Sequence, residues 1–229
     1  MATKKTISNQ IVVNNDPKST YSEAIRSIRT NLQFSSINKE LQVLLVTSPE
    51  PGDGKSFTSA NLATAYAQDG KKVLIVDCDL RKGRQNKIFE IPKDATKGYS
   101  NLILNYHKDI DIKDYIEKTK IKNVYLIPNG PTPPNPIELL ASNRNKELID
   151  LLKSIFDIII LDCPPVLGLS DALVMTRFSD ANIVVTTIKK TKIEALKEVQ
   201  KSMEKVNAKI TGVILNKATA KKSSYYYGY

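Results

Sequence analysis

Short apolar runs rich in Val, Ile and Leu recur at residues 43–47, 73–76, 124–127, 158–161, 183–187 and 210–215. They lack the apolar/polar alternation of a half-exposed strand, so each reads as a strand buried on both faces. Residues 56–68, 143–156, 171–178 and 193–206 lie between them and carry helical spacing. Strands that alternate with helices imply right-handed crossovers and a mostly parallel sheet with helices on both faces, an α/β fold. Residues 20–34 precede this alternation and read as an amphipathic helix, with Ile25, Ile28 and Leu32 on one stripe and Arg26 and Arg29 off it. The stretch from Pro128 to Pro136 is too rich in proline for regular structure, and a helix can begin at Ile137. No core-forming pattern follows Asn216. The expected organisation is an N-terminal extension (1–19), one domain (20–216) and a mobile tail (217–229).

The 229 residues, 41% hydrophobic and 25% charged, suit one large domain with a proper core. No apolar run has the length of a membrane span, and Met1-Ala2-Thr3-Lys4-Lys5 leads into polar residues rather than a signal-peptide core, so a cytoplasmic location is expected. Two cysteines and one histidine, His107, exclude a disulfide framework and an ordinary zinc site; any metal would bind through oxygen. A formal charge of +10 calls for an anionic partner, for which nucleotide, acidic protein, nucleic acid and lipid all qualify.

The chemistry concentrates at strand ends. The first strand runs into Ser48-Pro49-Glu50-Pro51-Gly52-Asp53-Gly54-Lys55-Ser56 and then a helix, the arrangement of a phosphate-binding loop, although Pro49 stands where the usual pattern has glycine. In such a loop backbone N–H groups and the positive helix end cradle phosphate oxygens; the lysine reaches the terminal phosphates and the hydroxyl holds magnesium. Gly52, Asp53, Gly54, Lys55, Ser56 and Phe57 are the expected nucleotide contacts. Two more strands end in Asp77-Cys78-Asp79 and Asp162-Cys163. Residues just past the carboxyl ends of parallel strands face the ligand crevice, so three carboxylates converge on the loop. Magnesium takes oxygen ligands and keeps several waters, which makes Ser56, Asp79 and Asp162 its expected holders. Asp77 is left to orient or deprotonate a nucleophile, with Lys55, Asp79 and Asp162 completing the catalytic set. Cys78 and Cys163 read as small packing residues.

These motifs, with the terminal Ser-Ser-Tyr-Tyr-Tyr-Gly-Tyr, Glu23-x-x-Arg26-x-x-Arg29 and the Gly-Pro-Thr-Pro-Pro-Asn-Pro stretch, resemble the bacterial tyrosine kinases of capsular and exopolysaccharide systems over nearly the whole chain. The resemblance implies a P-loop fold related to the ParA/MinD ATPases and ATP-dependent, magnesium-assisted phosphorylation of Tyr225, Tyr226, Tyr227 and Tyr229 on a neighbouring copy. It implies an adenine ring beside Asn216, a ring-shaped homo-oligomer joined through Glu23, Arg26 and Arg29, and control of polysaccharide synthesis and export. It also implies a membrane activator whose cytoplasmic tail recruits the kinase to the inner membrane face, other tyrosine-phosphorylated substrates and a cognate phosphatase, with no nucleic-acid partner. Pro49-Glu50-Pro51 and Phe57 depart from the family pattern. Residues 23, 26 and 29 lie within an arc of about 120° on a helix, which fits an interface but equally fits a solvated face. The rival reading is a ParA/MinD-like ATPase switch acting on DNA or membrane; Glu50, where that group typically carries lysine, and the tyrosines argue against it.

Overall fold

The computed structural model describes residues 10–35, 41–92, 94, 96–107 and 110–218, so the tail tyrosines and the expected mobility of the tail lie outside the described residues. In chain order the elements are α1 (Val12–Asn15), α2 (Thr20–Ser35), β1 (Val43–Thr47), α3 (Lys55–Gln68), β2 (Val73–Asp77), α4 (Gln85–Ile88), α5 (Tyr99–Asn105), β3 (Glu117–Lys118), β4 (Val124–Ile127), α6 (Pro136–Ala141), α7 (Asn143–Lys153), β5 (Ile158–Asp162), α8 (Asp171–Met175), β6 (Ala181–Thr187), α9 (Ile193–Glu204) and β7 (Gly212–Asn216). The strands make one sheet in the order β3-β4-β2-β5-β1-β6-β7. Every pairing is parallel except that of β3 with β4.

Alternate strand residues enter separate cores. Val43 and Leu45 of β1 join one with Leu102, Leu148, Met175 and Met203 from α5, α7, α8 and α9. Leu44 and Val46 join the other with Val13, Ile25, Leu62 and Ile88 from α1 to α4. Burial on both faces is why β1, β2 and β5 read as continuous apolar runs.

Three differences from the sequence pattern have local causes. β7 was expected to be buried, but it is the sheet's edge, and Val213 and Leu215 are half exposed on its outer positions. The helix expected over 143–156 stops at Lys153, where the carbonyls of Lys153 and Phe156 accept from Gln42 Nε2 at 2.6 and 2.9 Å. Residues 10–19, expected as an extension, pack on the domain: Val13 is fully buried and donates its N–H to Asn61 Oδ1 on α3 at 3.0 Å.

Candidate active site

β2, β5 and β1 are neighbours, so their carboxyl ends form one edge, with Val46 and Asp77 both level with Asp162. The loop after β1 curls back into α3 through Gly54 at φ +95°, a conformation glycine adopts without penalty. A Cβ at Gly54 would also lie 2.0 Å from Asn216 Nδ2, so the position has no room for a side chain. Thr58 N donates to Gly54 O at 2.9 Å, starting the helix at the loop. Its first N–H groups and the positive end of its dipole make an anion cradle.

Lys55 and Ser56 stand at that helix start. Lys55 Nζ lies 3.3 Å from both Asp79 Oδ2 and Ser56 Oγ. Burial works against its charge, but Asp162, Asp79 and Asp77 outweigh burial and hold its pKa above the usual lysine value. Asp79 Oδ1 accepts from Lys82 N at 2.9 Å. Asp162 is fully buried and accepts from Ser59 Oγ at 3.3 Å and Gln85 Nε2 at 2.7 Å. Asp77, level with it on the adjacent strand, accepts from Asp79 N at 3.3 Å and Gln85 N at 3.0 Å. Complete burial, then the charge of Asp162, push the Asp77 carboxyl up to about 8, against the opposing effects of the Gln85 N–H and Lys55.

The three carboxylates and Lys55 therefore sit together, as their strand-end positions predict. Asp53, Phe57 and Asn216 are directed elsewhere. The Asp53 side chain is fully buried behind the loop, where it accepts from Glu50 N, Lys190 Nζ and Thr191 Oγ1 at 3.1, 3.1 and 3.2 Å. The Phe57 ring meets Tyr21 of α2, centroids 5.2 Å apart. Asn216 spends its amide on Asp53 O at 2.9 Å and so braces the loop. Nothing in the sequence marked Gln85 or the bracing turn after β6; the glycine of Arg81-Lys82-Gly83-Arg84 was the available signal for a tight return, since a Cβ at Gly83 would stand 2.6 Å from Asp77 Oδ2.

On α2 the three interface candidates divide. Arg26 pairs with Glu23 and donates to Pro17 O at 2.7 Å, both on the surface. Arg29 instead donates to Ala65 O on α3 at 2.9 Å and lies 3.5 Å from Asp69, tied within its own subunit. Cys78 and Cys163 are buried in the core, and burial, then the neighbouring Cys163, raise the Cys78 thiol well above its ordinary value, which makes it a packing group rather than a nucleophile.

The donor set fits a magnesium nucleotide. A hydroxyl, two carboxylates and a lysine face one anion cradle, and magnesium needs only one or two protein carboxylates when phosphates supply the rest. Among the described residues no group of three or more His, Cys, Asp or Glu side chains is placed to hold a metal by itself.

A glycine-turned loop at a helix start, on an open parallel sheet with carboxylates at the adjoining strand ends, defines a P-loop nucleotide-binding protein. A family model described as an AAA domain matches residues 41–216. Tyrosine-protein kinase YwqD of Bacillus subtilis (strain 168) is 36% identical over 220 residues, 95% of this chain and 91% of that protein. The crystal structure of the chimerical protein CapA2B2 matches with a TM-score of 0.84 at 37% identity, covering 90% of this chain and 89% of that one. The septum site-determining protein MinD from Pyrococcus horikoshii OT3, complexed with Mg-ADP, matches with a TM-score of 0.61 at 28% identity, covering 76% of this chain and 69% of that one. The chain belongs to the bacterial tyrosine-protein kinase family, on a fold shared with MinD-like ATPases.

Proposed function

We propose that this chain is an ATP-dependent protein-tyrosine kinase that phosphorylates the terminal tyrosines of a neighbouring copy, Tyr225, Tyr226, Tyr227 and Tyr229. The observation that carries the reading is the convergence of Lys55 with Asp77, Asp79 and Asp162 on one anion cradle in a member of this family.

Each residue has a part. The α3 N-terminus and the backbone from Gly52 to Ser56 hold the phosphates, and Lys55 places a fixed positive charge against the transferring group. Ser56, Asp79 and Asp162 would hold magnesium, which when bound supplies charge neutralisation at the phosphate oxygens. Asp77 takes the phenol proton in its ionised form. A phenol has a pKa of about 10, and a carboxyl raised to about 8, though mostly protonated at neutral pH, is once ionised a far stronger base than an ordinary carboxylate. Transfer should therefore quicken as pH rises toward about 8. Each phosphate adds about −1.5 to −2 charges to a tail that also carries Lys221 and Lys222.

Around this activity we place an activator, supported by the likeness to a chimerical CapA2B2 protein, whose cytoplasmic tail recruits the kinase to the membrane. Among the described residues no helix is long and apolar enough to cross a membrane. Exposed Glu23 and the half-buried Arg26 paired with it offer the charges for a ring contact, while Arg29 steadies α2 on α3. A phosphatase resets the tail, other proteins accept phosphate on tyrosine, and the cycle governs capsular or exopolysaccharide synthesis and export. Incubation with ATP and magnesium should yield phosphotyrosine. Hydrolysis to ADP without it would support a MinD-like switch instead.

A further inference from the structure

Asp77 and Asp162 face each other across β2 and β5 at the same level, both fully buried. Two buried carboxyl groups so placed do not both carry charge readily, and strand pairing alone does not fix the direction of their oxygens. Among the described residues, only Gln85 donates a hydrogen bond to both. Its backbone N–H reaches Asp77 Oδ2 at 3.0 Å and its side-chain Nε2 reaches Asp162 Oδ2 at 2.7 Å. The same Nε2 donates to Ser56 O at 3.0 Å, inside the first turn of α3. One neutral residue thus joins the ends of β2 and β5 to the start of the phosphate-binding helix.

The chain is shaped to deliver it there. The return after β2 passes so close to Asp77 that a Cβ at Gly83 would overlap Asp77 Oδ2 and the Asn129 amide, each at 2.6 Å. Gln85 is fully buried, yet its Oε1 has no hydrogen-bond partner among the described residues. An idle buried acceptor costs stability, so space-filling does not account for an amide here.

We propose that Gln85 is a positioning residue for phosphoryl transfer, a neutral double donor that fixes Asp162 and Asp77 relative to Ser56 and the phosphate cradle. The inference rests on reading this site as one for phosphoryl transfer. Gln85 touches no reacting atom and acts through the carboxylates it holds. Without its amide, Asp162 loses the donor that sets the direction of one oxygen, and the β5 end is no longer joined to α3 through this side chain.

The test uses Gln85→Met, which keeps the length and the backbone N–H but removes both side-chain donors, and Gln85→Glu, which sets a third carboxylate beside Asp162. Three readouts are needed: kcat and KM for tyrosine phosphorylation, affinity for a fluorescent ATP analogue with magnesium and with EDTA, and thermal stability. Gln85→Met should lower kcat by roughly 10- to 100-fold, as expected for a lost hydrogen bond to a charged group. It should weaken the gain in analogue affinity brought by magnesium while leaving affinity in EDTA within about twofold of the parent. Gln85→Glu should be at least as impaired as Gln85→Met. A parent-like kcat and an unchanged magnesium gain in Gln85→Met would overturn the proposal. So would a loss of activity matched by the loss of folded protein, since that is what mere packing gives. If the parent chain makes no phosphotyrosine, the kinase reading fails, and the magnesium gain in analogue binding alone decides the role of Gln85.

Discussion

Replacing Asp77 with asparagine should abolish phosphorylation and, at alkaline pH, stabilise the fold relative to its acid behaviour. The Asp77 carboxyl is raised from 3.8 to about 8 in the folded chain, by burial first and by Asp162 second. A group that binds its proton more tightly when folded contributes stability fully below its unfolded pKa and loses it as pH rises through the folded value. At about 1.4 kcal/mol per unit, the parent should lose about 3 kcal/mol at this site between about pH 5.5 and about pH 8.5. Asparagine carries no such charge. It does leave one of the two N–H donors, Asp79 N or Gln85 N, facing an amide nitrogen, at a pH-independent cost of about 1–3 kcal/mol. The slope is therefore the diagnostic, not the value at any one pH. For a chain of this size, the Tm of Asp77→Asn minus that of the parent should grow by about 6–12 °C over that range. Thermal unfolding followed by circular dichroism, without nucleotide and with EDTA, measures it. A difference that stays flat with pH, or shrinks as pH rises, would refute the reasoning that Asp77 is held protonated by burial beside Asp162.

Gly54→Ala should eliminate nucleotide binding in a calorimetric titration, because its Cβ would displace the Asn216 amide and strain a backbone at φ +95°; binding within a few-fold of the parent would be the contrary result. On α2, Glu23→Ala with Arg26→Ala should shift the oligomer toward monomer by light scattering with little change in Tm, whereas Arg29→Ala should lower stability by about 1–2 kcal/mol through its lost bond to Ala65 O. Equal effects of the two changes on oligomer mass would contradict that division.

Much of the fold was legible because its signals are local. β1, β2, β4 and β5 follow from apolar runs, and the loop from Gly52 to Ser56 and the aspartates follow from what immediately succeeds those runs. The sheet order then places them together, since β2, β5 and β1 are adjacent. What stayed hidden depends on distant chain returning. Asp53 looks like a ligand contact until Lys190 and Thr191 claim its carboxylate from more than a hundred residues away. Arg29 sits in the same arc as Glu23, and only the packing of α2 on α3 brings the Ala65 carbonyl to it. β7 carries the composition of a buried strand, and its exposure follows from its place at the sheet edge. α4, β3 and α5 are two to seven residues long, too short for periodicity to announce them.

Transfer of phosphate to the terminal tyrosines of another copy is tested most directly by mixing two chains. An isotope-labelled Lys55→Met chain, inactive but with an intact tail, is incubated with the unlabelled parent, ATP, magnesium and the cytoplasmic tail of the membrane partner. Peptide mapping by mass spectrometry then reads phosphate on each tail. Labelled peptides phosphorylated at Tyr225, Tyr226, Tyr227 or Tyr229 are the expected result; ADP release with no phosphotyrosine on either tail would contradict it.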